Sequence, residues 1–245
     1  VRASGAGMGC PDWPTCFGQW IPPTSEAQLP DNYQEIYAEL GYADTRFNVV
    51  KTWTEYSNRL TGVTIGFLIL LTAIYSWYCR EHDSSIFKAS VAAFIMVGFQ
   101  GWLGAQVVGS NLQPGMITLH MLVALALVGA LLFAVAQARR GIMAAQPVTA
   151  LDPRFQTWLY IVIGLTIVQV AMGTQVREMT DFISRAQGEE LRSSWIEAMP
   201  WFFYVHRSFS AVVLFSNLWL GWMLISSLGW QHTLSKLTGS MIAVI

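Results

Sequence analysis

The sequence predicts an all-α integral membrane fold, on three observations. Of its 245 residues, 53% are hydrophobic and only 12% charged, where soluble domains run near 25% charged. Five apolar runs, at 60–79, 89–110, 115–138, 157–176 and 202–228, each approach or exceed the roughly 20 residues that cross a bilayer. A sixth starts near 237 and is still apolar at Ile245. Finally, a polar cluster recurs at the ends of these runs. Gln100-x-x-x-Gly104-x-Gln106-Val107 closes one and Gln169-x-x-x-Gly173-x-Gln175-Val176 another, and the run after each opens with a histidine, His120 or His206.

In chain order, residues 1–54 form a long polar segment rich in Pro, Trp and Tyr, with helix signals over Glu26–Leu40 and Ser25 as a candidate cap. Glu55-x-x-Asn58-Arg59 leads into the run 60–79, with Cys79 a packed residue at its far end. The turn Gly109 to Gly115 is short enough to make 89–110 and 115–138 antiparallel neighbours. The segment 177–200 is amphipathic: Phe182, Ile183, Leu191, Trp195 and Ile196 alternate with charges, which suits a stretch lying at the membrane interface.

Charge sets the orientation. The loops 80–88, 139–156 and 229–236 carry Arg80, Lys88, Arg139, Arg140, Arg154 and Lys236 against only Glu81, Asp83 and Asp152, which leaves twelve of the fifteen acids on the other side. Basic short loops face the cytoplasm, so residues 1–54 are expected outside. His82 and His232 fall in the cytoplasmic loops as solvated residues. A net charge of −1 offers no basic surface for nucleic acid.

Each pair of helices then goes out and returns, with the polar cluster at each external return. Arg2-Ala-Ser-Gly5 would close an outward helix before Val1, and at least one more helix is expected beyond Ile245. The pattern is two pseudo-symmetric four-helix bundles, eight helices in all, of which about five and a half lie in this chain. Residues 1–138 are the amino-terminal half and 139–245 the carboxy-terminal half.

A histidine at one depth on successive returning helices is what a heme site in a bundle needs. Polar groups within the membrane mark function by default. His120 is followed on its face by Ala124 and Val128, which leave room for a flat ligand. The structural alternative is a histidine bonding a backbone carbonyl near the interface. Arg59 and Arg207 sit where heme propionates would be met, or where arginines reach lipid phosphates. Glu55, Asn58, Arg59, Gly62 and Gly66 share one helical face, expected toward the bundle centre beside His120; Glu55 can equally favour the helix dipole. Cys10 and Cys16 lie on the oxidising side, where they pair as a disulfide or stand as two thiols.

These residues resemble the heme A synthase family. The resemblance rests on Gly5-Ala-Gly-Met-Gly-Cys-Pro-Asp-Trp-Pro-Thr-Cys-Phe-Gly18, Glu55-Tyr-Ser-Asn-Arg59, Gly104-Ala-Gln-Val-Val-Gly-Ser110 with Leu119-His120, and His206-Arg207, and covers the chain essentially throughout. It implies eight helices in two halves and an oxidoreductase that converts the ring D methyl of heme O to the formyl group of heme A by successive hydroxylations. Carried over, His120 serves the substrate heme and His206 ligates a heme b. Glu55 takes the place of the family's acidic residue, Cys10 and Cys16 match its external cysteine pair, and Arg59 and Arg207 orient propionates. The family has histidine where this chain has Asn58, so the substrate iron is expected to be held by His120 alone or in another manner. Heme O synthase, the terminal oxidase, lipid and a second copy of the chain are the implied partners. The location is a bacterial-type plasma membrane or mitochondrial inner membrane, with the cysteine loop outside. A non-enzymatic heme b electron carrier is the other reading of the same ligands; a heme-free bundle assisting oxidase assembly is a third.

Overall fold

The computed structural model describes residues 6–43, 45–78, 80–81, 84–140, 151–187 and 194–244. Arg2, Gly5, Cys79, His82 and Leu191 lie outside the described residues. Among the described residues the architecture is all helical, with one isolated bridge between Cys16 and Gln19. Six principal helices among the described residues follow the amino-terminal segment: α1 Val49–Tyr78, α2 Ser84–Gly109, α3 Pro114–Ala138, α4 Phe155–Gln187, α5 Trp201–Leu228 and α6 Thr233–Val244. The first five are long and apolar enough to cross a membrane, and the chain is a multi-pass membrane protein.

Several hydroxyl groups inside these spans are satisfied by their own helix. Thr61, Thr64 and Thr72 each donate to the carbonyl four residues back, at 2.8–2.9 Å, and Ser76 to the carbonyl three back, at 2.8 Å. Such internal bonds make a polar side chain tolerable in hydrocarbon.

Two helices outrun their apolar stretches. α1 starts at Val49, about three turns before residue 60, because its first turns are covered by the amino-terminal segment: Thr52 and Glu55 are 1% and 5% exposed. α4 continues past Val176 to Gln187, so the expected interfacial segment begins as a prolongation of a spanning helix. Arg177 pairs with Asp181 at 2.6 Å in the i,i+4 relation that supports a helix. Ser25 occupies the N-cap position of the short turn Glu26–Gln28 without a side-chain cap bond, and the predicted helix there is three short pieces, Glu26–Gln28, Tyr33–Ile36 and Ala38–Leu40.

The chain forms two compact units, Val1–Ala138 and Arg139–Ile245. In the first, α2 packs between α1 and α3, with Ile69, Ala93 and Leu127 at the contact. In the second, α5 packs against both α4 and α6; Gly221 admits Ile242 and Thr238 of α6, and Gly239 admits the ring of Trp230.

The amino-terminal segment has its own small aromatic core. Phe17 is met edge-on by Tyr33, Tyr37, Tyr42 and Phe47, with centroids 5.3–6.2 Å away, the arrangement aromatic quadrupoles favour. Burial raises the Tyr42 phenol well above its usual range, which keeps it protonated as the donor to the Met8 carbonyl. Gly9 lies flat on the start of α1: a Cβ there would stand 2.6 Å from the Lys51 carbonyl carbon and 2.8 Å from the Thr52 nitrogen. Gly9→Ala is therefore expected to lift the segment from α1 at a cost of about 1–3 kcal/mol. Faster limited proteolysis of residues 10–47 checks it.

Candidate heme seats and the disulfide loop

The same three-residue assembly is built once in each unit. In the first, Gln100 and Gly104 stand one turn apart on α2 and face His120 of α3. The Gln100 Nε2 donates to the His120 backbone carbonyl at 3.0 Å, and a Cβ on Gly104 would lie 3.7 Å from the His120 Cε1. In the second, the Gln169 Nε2 donates to the His206 carbonyl at 3.3 Å. A Cβ on Gly173 would lie 3.3 Å from the His206 Cε1 and 3.8 Å from its Nε2. Glycine on the facing helix lets each imidazole lie close against helix backbone, while the amide ties the two helices together beside the ring.

Both histidines are partly buried, and each seat contains the same two buried atoms without a hydrogen-bond partner: Nδ1 of the imidazole and Oε1 of the glutamine. The repeat is visible in the sequence, but the bond from amide to histidine carbonyl is not. The chain separation differs between the seats, 20 residues in one and 37 in the other. Only the spacing Gln-x-x-x-Gly followed by a histidine after the next turn could have signalled it. Arg207 and Ser208, next to His206, are exposed.

Cys10 and Cys16 are joined in a disulfide, S–S 2.03 Å. The loop it closes is tied down by polar groups. The Asp12 carboxylate accepts from the Thr15 hydroxyl and from the backbone N–H groups of Phe17 and Gly18. An aspartate that bonds residues a few positions on is a turn former, and Asp12 to Thr15 is the signal that sequence reading left unused. Thr52 of α1 donates to the Gly9 carbonyl at 2.8 Å.

Glu55 and Arg59 are part of this clamp. Glu55 Oε2 accepts the Cys10 N–H at 3.0 Å, and its Oε1 meets Arg59 Nη2 at 2.6 Å. Arg59 Nη1 also donates to the carbonyls of Asp12 and Thr15, at 2.7 and 2.9 Å, and Nη2 to that of Cys10 at 3.4 Å. The four acceptors on its terminal nitrogens belong to the protein. This differs from the expectation that Arg59 offers its guanidinium to a propionate and that Glu55 faces the bundle centre with Asn58. Glu55 and Arg59 turn to the disulfide loop because its carbonyls and the Cys10 amide need buried partners. Asn58, on the neighbouring stripe, is exposed, and a Cβ on Gly62 would meet nothing within 4 Å.

Comparison with known proteins bears on what such seats hold. A family model described as COX15-CtaA, cytochrome oxidase assembly protein, matches residues 1–245. A heme A synthase of Shewanella oneidensis is 30% identical over 167 residues, covering 67% of this chain and 48% of that protein. One from Methylobacterium radiotolerans is 27% identical over 187 residues, covering 71% and 49%. One from Alkalihalophilus pseudofirmus is 31% identical over 121 residues, covering 49% and 33%. The chain thus spans about half the length, or less, of these curated relatives. No solved structure matches.

Proposed function

The chain belongs to the heme A synthase family of cytochrome oxidase assembly proteins, and from that membership we propose that it oxidises the ring D methyl of heme O to the formyl group of heme A. The observation that carries this reading is the repeated seat: one histidine per unit, its ring against a glycine of the neighbouring helix, with Nδ1 buried and unpartnered. These residues suit an iron porphyrin. A neutral imidazole with Nδ1 buried has Nε2 to offer a metal, and glycine on the facing helix lets the ring lie close to backbone.

In this reading His120 holds the iron of substrate heme O and His206 that of a heme b. When bound, the heme b supplies electron transfer. The chain's own part is positional. Gln100 and Gln169 join the helices that flank each ring. Exposed Arg207, next to His206, is the cation for the propionates. Exposed Asn58 can donate its amide to a substrate group or a water, since an amide is no substitute for imidazole as an iron ligand. Glu55, fixed by Arg59 and the Cys10 amide under the disulfide loop, is the carboxylate we propose for proton transfer or charge stabilisation. The assembly role makes heme O synthase and the terminal oxidase the expected partners and a second copy of the chain a further one; the basic short loops support a cysteine loop on the outer side of a bacterial-type plasma or mitochondrial inner membrane.

The test is expression in cells that make heme O and lack heme A. Extracted pigments are expected to contain heme A or a hydroxylated heme O. Extracts with heme O unchanged and heme b alone bound to the protein would replace this reading with that of an electron carrier, the role the Asn58 departure favours.

A further inference from the structure

The amino-terminal segment carries a neutral, apolar tip. From Trp13 to Ser25 there is no Asp, Glu, Lys or Arg, whereas Glu26, Asp31, Glu35, Glu39, Asp44, Arg46 and Lys51 crowd the stretch after it. Within the tip Trp20 and Ile21 are 71% and 72% exposed, and Trp13 is exposed beside them in sequence. Large apolar side chains left open together mark a contact surface.

Hydrogen bonds fix where this tip stands along α1. Arg59 Nη1 donates to the carbonyls of Asp12 and Thr15, the Tyr56 hydroxyl to that of Trp20, and Trp53 Nε1 to that of Pro23 at 3.3 Å. All three donors lie on the two turns or so that precede Leu60. The apolar run 60–79 is bracketed by Arg59 and Arg80 and, at helical rise, measures about 30 Å, the thickness of the bilayer hydrocarbon. Tyr56 is therefore about 6 Å above the hydrocarbon boundary, inside a headgroup layer about 5–8 Å deep. Leu60, Val63 and Phe67, on the stripe that Tyr56 heads, are exposed, as the lipid-facing side of a spanning helix is. The tip thus continues the lipid-facing surface of α1. At its far end α1 presents exposed aromatic residues of its own, Tyr75, Trp77 and Tyr78. At its start Trp53 and Tyr56 are half-buried, and the open indoles are those of the segment.

We propose that Trp13, Trp20 and Ile21 form a lipid contact that seats the disulfide loop in the headgroup layer beside α1. Indole has an apolar body and a polar N–H, which suits it to the interface between hydrocarbon and water. The absence of charge across the tip spares it the cost of bringing an ion to that layer. The loop is then held from two sides, by Arg59 and Tyr56 on α1 and by lipid on its open face. This contact is independent of what His120 and His206 hold.

Photo-crosslinking of the full chain in vesicles of phosphatidylcholine and phosphatidylglycerol tests it. The photoreactive residue p-benzoylphenylalanine replaces Ile21 in one variant and Trp20 in another. Val63 supplies the lipid-facing reference and Glu39, exposed in the charged part of the segment, the aqueous one. Mass spectrometry after irradiation is expected to find phospholipid adducts at 20 and 21 in yields near that at 63 and severalfold above that at 39. The Trp20 side chain is free to be replaced, because Tyr56 bonds its backbone carbonyl. If one variant fails to reach the membrane, the other decides. Lipid yields no higher than at Glu39 overturn the proposal, and so do adducts to protein in place of lipid, which would make the tip a protein-docking surface.

Discussion

Replacing His120 with alanine is expected to abolish heme A formation while leaving the protein inserted in the membrane. The imidazole is the iron ligand of the first unit on this account, and no neighbour can take its place: Asn58 is exposed and carries an amide, and Glu55 is engaged by Arg59 and the Cys10 N–H. The substitution spares helix packing, because Gln100 bonds the backbone carbonyl of residue 120 rather than its ring. Membrane content and the oligomeric profile in detergent should match those of the unvaried protein, while extracted pigment shows heme O and no heme A. Unchanged heme A with His120→Ala would remove this residue from the site.

Arg59→Ala is expected to loosen the amino-terminal segment by about 3–5 kcal/mol, the cost of stranding a buried charge. Its partner Glu55 is 6% exposed at the side chain and Arg59 12%. The loss is larger than that of one ion pair, because three backbone carbonyls of the disulfide loop lose their donor as well. Arg59→Lys should restore little, since a single ammonium cannot serve acceptors that a planar fork reaches together. Protease sensitivity of residues 10–47, and alkylation of Cys10 and Cys16 after mild reductant, report the release directly. A segment as resistant as the unvaried one would show that the clamp contributes little. Loss of heme A formation is expected to accompany the release, because Glu55 is then held by the Cys10 amide alone.

The spanning helices were legible because lipid imposes a simple requirement: a long apolar run with few charges. Their ends were less so. Glu55 and Arg59 read as a polar lead-in to α1 and Thr52 as part of the segment before it, yet all three are helical, Thr52 and Glu55 buried and Arg59 partly so, because groups more than 40 residues away in sequence cover them. No local pattern announces such a cover. Glu55 and Arg59 were recognisable as important from their spacing, but their partners are main-chain atoms of the disulfide loop, which carry no sequence signature. α4 outran its apolar stretch into the segment read as interfacial, where the Arg177–Asp181 pair is one local support. The repeat at Gln100 and Gln169 was plain in the sequence, since identical spacing twice in one chain is hard to miss. What it builds, an amide on a histidine carbonyl beside a glycine, required the pairing of α2 with α3 and of α4 with α5.

The central claim is that each unit carries an iron-binding histidine built on the same plan. Quantitative pyridine hemochrome analysis of the purified, unvaried protein tests it most directly. The account predicts a Soret band and two kinds of heme, a heme b and a second with the heme O or heme A spectrum; a protein purified intact from heme-sufficient membranes with no Soret absorbance would contradict it.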